Sequence, residues 1–170
     1  MPMIAKKTRY PIGAIRWTIY GTPTPKAIVR FKQGKPALVN GQPVNGPLLK
    51  FKAKKSEAWE ETIGGQSFQY KPTIPLEGPI ALGAVFYRPM PKYISKNPAK
   101  RLLAMNGDLC PTGKPDMKNL IANVEDALNG LFWIDDAQVI RYVSVDGIPM
   151  GKFYSDIPRI ELVVIPLPTF

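Results

Sequence analysis

The chain has 170 residues, a net charge of +10, no histidine and a single cysteine, Cys110. Histidine triads, histidine general bases and zinc sites built from histidine or several cysteines are therefore excluded, as is an intramolecular disulfide. Any metal must be held mainly by oxygen ligands, which suits Mg2+ or Mn2+.

The opening MPMIAKKTRYPIG is basic, lacks a long apolar stretch and is not read as a secretory leader. Residues 1–14 are expected to be a basic, flexible N-terminal segment, and 15–167 a single domain. AIRWTIYG (14–21) alternates apolar and polar residues and stops at glycine, which predicts a strand. Residues 22–52 are rich in Pro, Gly and Asn, predicting short strands at 27–31 and 37–39 joined by turns. KKSEAWEETI (54–63) predicts a helix with Ser56 as its cap and glutamates in its early turns, ended or weakened by Gly64-Gly65. PIALGAVFYRP (79–89) reads as a buried strand closed by proline. Residues 90–113 read as a basic loop with a short helix at 98–105.

Helical periodicity follows over 117–129, starting after Pro115-Asp116 and stopping at Asn129-Gly130. At ~100° per residue, Leu120, Ile121, Val124, Ala127 and Leu128 share one face. Lys118, Asn119, Ala122, Asn123, Glu125 and Asp126 take the other. Residues 131–147 give an apolar approach, the pair Asp135-Asp136 and a strand; 159–167 gives a last strand. No apolar run nears the ~18 residues of a membrane helix. The whole predicts one small α+β domain, a mixed sheet with two main helices. The lone cysteine fits a reducing cytoplasm.

Charge is split along the chain. The first 101 residues hold 18 of the 23 basic and four of the 13 acidic residues; the remainder hold five and nine. A basic half beside an acidic cluster suits a polyanion gripped by cations and processed at carboxylates. Asp116 and Asp135-Asp136 meet if the strand after the helix returns alongside it, and Asp136 is favoured as the inward member because strand neighbours face opposite ways. The plain alternatives are a helix cap for Asp116 and a turn for Asp135-Asp136. Candidate phosphate contacts are Lys26, Arg30, Lys32, Lys35, Lys92, Lys96, Lys100, Arg101 and Lys114, each otherwise a solvated loop residue. Trp59 and Trp133 are expected in the core, with Phe31, Tyr87 and Tyr93 as weaker candidates for contacting unstacked bases.

KPDMKNLIANVEDALNGLFWIDDAQV (114–139) resembles the signature of the RusA-type Holliday-junction resolvases: Pro-Asp-x-Asp-Asn-x-x-Lys, then Asp-Ala-Leu, a short link and Asp-Asp-x-Gln-Val. The matches are Asp116, Asn119, Asp126-Ala127-Leu128 and Asp135 to Val139. GTPTPKAIVRF and FYRPMPKYISKNPAKR resemble the family's early loop and its basic segment before the site. The resemblance spans about residues 15–165. It implies a small α+β homodimer that binds four-way DNA junctions and nicks paired strands symmetrically with Mg2+ or Mn2+ held by aspartates. It also implies a bacterial or phage-encoded cytoplasmic protein. Asp116 matches the first catalytic aspartate and Asp136 the last; Asp135 and Asp126 match acidic positions.

Two positions depart from the signature. The second catalytic aspartate falls at Lys118, and the catalytic lysine at Ala122. Three accounts are open. In the preferred one, Glu125 supplies the missing carboxylate and joins Asp116, Asp135 and Asp136 as a metal ligand, while Lys118 supplies the cation. Residues 118 and 125 differ by ~20° in direction on a helix. In the second, the protein binds junctions and cuts poorly or not at all. In the third, Lys118 is an ordinary exposed residue and two aspartates suffice.

Overall fold

The computed structural model describes residues 9–26, 30–40, 42–51 and 54–169. Its centre is β6 (Ile80–Pro89), a ten-residue strand whose first eight residues are all buried. One edge of β6 pairs antiparallel with β9 (Arg159–Pro166), which in turn pairs antiparallel with β1 (Ile15–Tyr20). The other edge is shared. β7 (Val139–Tyr142) runs parallel to its first half and β8 (Gly151–Ser155) parallel to its second. The result is a mixed five-stranded sheet. β2 (Arg30–Gln33) pairs with β5 (Leu48–Phe51), and β3 (Ala37–Val39) with β4 (Gln42–Val44), as two separate ribbons. Of the strand expected at 27–31, residues 27–29 lie outside the described residues.

Alternation along β6 feeds two cores, because successive side chains leave a strand on opposite faces. Ile80, Leu82, Ala84 and Phe86 meet Trp17, Ile19, Leu162 and two helices on one face. Those helices are α1 (Lys54–Ser67) and α4 (Met117–Leu128). Ala81, Val85 and Tyr87 meet Val145, Ile148, Val163 and Ile165 on the other. Tyr10 and Ala14, from the segment before β1, pack onto this second cluster, while Ile12 between them is exposed. The short helix expected at 98–105 is α3 (Pro98–Asn106), and α2 (Lys92–Ser95), which falls in the expected loop, brings the described residues to four helices. Asn97 caps α3 by accepting from the Lys100 amide, Pro98 starts it, and Gly107 ends it in the left-handed conformation (φ 82).

α1 differs from its expectation at both ends. It starts at Lys54, so Ser56 lies buried within the first turn. It also runs through Gly64-Gly65 to Ser67, because tertiary contacts outweigh the ~1 kcal/mol helix penalty of each glycine. The Trp17 indole N–H donates to the buried Ser67 hydroxyl (2.9 Å), and Trp17 stacks on Phe132 at 4.5 Å. The Gln66 side-chain amide accepts from Tyr20 N and donates to Tyr20 O, both at 2.9 Å.

Gly83 stands where the chain crosses from β7 to β8. A Cβ there would lie 2.7 Å from Val163 Cγ1, 2.9 Å from the Val143 carbonyl oxygen and 3.0 Å from Val145 Cγ2. The Val143 amide donates to the Leu82 carbonyl at 3.0 Å, tying the crossing to β6 at this point. Gly83→Ala should therefore destabilise the fold by about 1–3 kcal/mol in urea denaturation, although a glycine-to-alanine change at an unconstrained site gains a little stability. An unchanged or raised midpoint would show that the crossing has slack.

Candidate functional site

α4 positions most of the candidate residues. Asp116 occupies its N-cap with extended backbone (φ −73, ψ 147), and its carbonyl accepts the Asn119 and Leu120 amides at 3.1 and 3.2 Å. Its carboxylate makes no capping hydrogen bond. It is exposed, and it lines a cleft of about 380 Å³ with Pro25, Lys26, Lys114, Pro115 and Asn119. The turn before it is pinned by two cations from the sheet. Arg88 Nη1, on β6, donates to the Lys114 carbonyl at 2.7 Å. Lys152 Nζ, on β8, donates to the Gly113 and Pro115 carbonyls at 2.9 and 3.0 Å.

The opposite wall of the cleft is the proline-rich loop 22–26, strapped to α4. The Lys26 amide donates to the Asn119 carbonyl (2.8 Å), and Asn123 Nδ2 donates to the Thr24 carbonyl (2.9 Å). Lys26 Nζ pairs with Asp126 at 2.6 Å. Asn123, expected on the polar face of the helix, is instead fully buried beneath this loop, and its Oδ1 has no hydrogen-bond partner. A buried amide is tolerated where it satisfies a loop that would otherwise leave backbone groups unpaired.

Glu125 lies on another flank of α4. It accepts a hydrogen bond from the Tyr142 hydroxyl on β7 at 2.7 Å. Partial burial pushes the Glu125 carboxyl above the usual range; Asp136 and Asp126 add to the rise, while Tyr142 and Lys26 oppose it. Burial and the Glu125 charge push the Tyr142 phenol up to about 12, so it remains a donor at working pH. Glu125 thus shares its electrostatic surroundings with Asp136 and Asp126.

Asp135 and Asp136 occupy a turn, not a strand, so strand alternation does not choose between them. Asp135 caps the 3-10 turn Asp136–Gln138 by accepting from the Ala137 amide at 2.8 Å. The Gln138 side chain closes that box and donates to the Leu76 and Gly78 carbonyls at 2.9 and 2.8 Å. Asp135 therefore serves the turn, and Asp136 faces solvent beside it. Among the described residues, no three acidic, histidine or cysteine side chains form a group able to hold a metal ion.

The candidate cations fall into distinct settings. Lys26 and Lys114 line the cleft, and Lys118 is exposed on α4. Lys92 sits on α2, Lys96 just after it and Lys100 on α3, all exposed. Arg101 pairs with Asp156 at 2.5 Å. Arg30 and Lys32 lie on β2, with side chains outside the described residues, as is that of Phe31. Tyr87, a candidate for base contact, is buried under the Arg159 guanidinium, 3.7 Å from its ring centre. Tyr93 is exposed, with Lys100 Nζ 5.7 Å from its ring centre. Trp59 and Trp133 lie in the core as expected. Sequence reasoning missed Arg88, Lys152, Asn123 and Tyr142 as supports of the site, since each acts through a contact distant in the chain.

The family model for endodeoxyribonuclease RusA matches residues 21–165, from the Gly21 turn before the strapped loop into the last strand, β9. The chain belongs to the RusA endodeoxyribonuclease family. A Bacillus subtilis (strain 168) relative, the uncharacterized protein YqaN, is 34% identical over 153 residues, covering 90% of this chain and 96% of that protein. In this RusA-family chain, the matched acids Asp116, Asp126 and Asp136 lie at the start of α4, near its end, and in the turn before β7.

Glu125 carries a stability cost that tests its role. A carboxyl whose folded pKa is raised weakens the fold above that pKa, and the cost fades as pH falls below its unfolded value. Glu125→Gln should therefore melt slightly higher than the parent at pH 7, with the gap closing near pH 4. A lower melting temperature at pH 7 would mean that the Tyr142 contact outweighs burial.

Proposed function

We propose that this RusA-family protein is a divalent-metal-dependent endonuclease that resolves four-way DNA junctions by paired symmetric nicks, acting as a homodimer. The observation that carries this reading is the cleft beside α4, which Asp116, its carboxylate free of any capping bond, lines together with Lys26 and Lys114. Cations beside a carboxylate suit a phosphodiester: the lysines attract the phosphate, and the carboxylate orients the attacking water and accepts its proton. A two-fold dimer matches the two related strands to be cut. A bacterial or phage-encoded cytoplasmic setting fits the family resemblance.

The donors are all oxygens, which suits a hard cation in kind. Glu125 also sits in the negative field of Asp136 and Asp126, offset in part by Lys26, and a cation would relieve the remainder. Mg2+ is commonly held by one or two carboxylates, with waters and substrate phosphate completing its shell. Glu125 and Asp136 would hold the ion, with Asp116 as a further candidate, and Asp135 remains the turn cap. When bound, Mg2+ or Mn2+ would offset charge on the phosphate and the departing oxygen.

A second reading, junction binding with weak or no cutting, is favoured by two observations. No three-acid group is assembled among the described residues, and Lys118 stands where the signature has an aspartate. A synthetic mobile four-way junction incubated with Mg2+ or Mn2+, with linear duplex alongside, separates the two. Paired nicks that fall at least 100-fold in Asp116→Asn are expected. A junction shifted on a gel and left uncut under every metal condition would establish the binding reading.

A further inference from the structure

The geometry points to Lys26 as the reactive cation of the cleft, reaching over Ala122 from the proline-rich loop and exchanging Asp126 for a DNA phosphate oxygen. This rests on the reading of the cleft as the DNA-cleavage site. Lys26 is anchored twice on α4, by its amide at the Asn119 carbonyl and by its ammonium at Asp126. Residues 119 and 126 are seven apart, so they share a direction to within ~20° and lie ~10 Å apart along the axis. The Lys26 side chain therefore follows one flank of the helix, toward the stretch that holds Ala122. A methyl group there leaves space for a lysine rooted elsewhere, and position 122 is where the signature has its own lysine.

Exchange is physically accessible. The two side chains of the pair are 39% and 30% exposed, so solvent screens it, and such pairs are weak. A phosphate entering the cleft meets Lys26 and Lys114 together, whereas Asp126 meets Lys26 alone among the cleft lysines. The loop backbone need not move, because it is held independently by Thr24 and Asn119. Lys26 would thus bring a charge to the cleft on a fixed support, as transition-state stabilisation requires.

The test is a swap. Lys26→Ala should lower junction nicking about 100-fold. In metal-free gel shifts it should also reduce the slope of log affinity against log salt by about one. Adding Ala122→Lys to Lys26→Ala should restore most of both losses, since a lysine at 122 lies one helical turn from Asp126. Melting temperatures of all three proteins check that the fold is intact. Wild-type nicking and salt slope in Lys26→Ala would overturn the assignment. So would failure of Ala122→Lys to restore either property in a double variant that melts like the parent. If the parent binds junctions and never nicks them, the enzyme reading falls while Lys26 is still judged by the salt slope. A drop of about one that Ala122→Lys reverses supports it, and an unchanged slope rejects it. If the parent neither binds nor nicks junctions, both readings fall.

Discussion

The structure depends on burying β6 on both faces. A strand with apolar residues pointing up and down needs cover above and below and backbone partners on both edges, or its amides would be stranded away from water. β9 supplies one edge along its length. No single strand supplies the other: β7 covers the first half and β8 the second, and the chain between them crosses at Gly83. The same crossing segment carries Val145 and Ile148 onto the second core, so cover and edge come from one stretch of chain.

Placement of the site follows from that arrangement. Arg88 leaves β6 and Lys152 leaves β8, neighbouring strands in the sheet, and both end on carbonyls of the turn that presents Asp116. α4 then acts as a ruler on the helical face of the sheet. Its apolar residues fix its rotation, and that rotation separates the flank carrying Asn119, Asn123 and Asp126 from the flank carrying Glu125. α4 thus presents Asp116, Glu125 and Asp126, while Lys26 and Lys114 arrive from connecting segments. Such a division keeps charged groups near one another without crowding them into the core, where their desolvation would be costly.

Local pattern made part of this legible. The 3.6-residue period over 117–129 located α4 to within a residue and named most of its buried face, because packing against a flat sheet selects that period. The continuous apolar run at 79–89 identified a doubly covered strand, as such runs do. Three features escaped for one shared reason, sequence distance, and a fourth for a local one. Asn123 looked polar and exposed, since nothing near it in the chain announces Thr24 as its partner. The Lys26–Asp126 pair links residues 100 apart. Glycines 64 and 65 read as breakers because Trp17 and Tyr20, which hold the end of α1, lie more than 40 residues earlier. The strand alternation invoked for Asp135-Asp136 failed because Gln138 folds that stretch into a capped turn.

The amide of Gln66 has a consequence beyond anchoring α1. β1 is an outer strand, and its unpaired N–H and C=O groups form a template onto which another chain can add. At Tyr20, Gln66 occupies the donor and the acceptor together, as a neighbouring strand would. A helix side chain here imitates one rung of a ladder, and β1 cannot be extended through Tyr20 without first displacing it. That one rung of the sheet's margin is thereby closed to edge pairing with another chain, a hazard that rises with protein concentration.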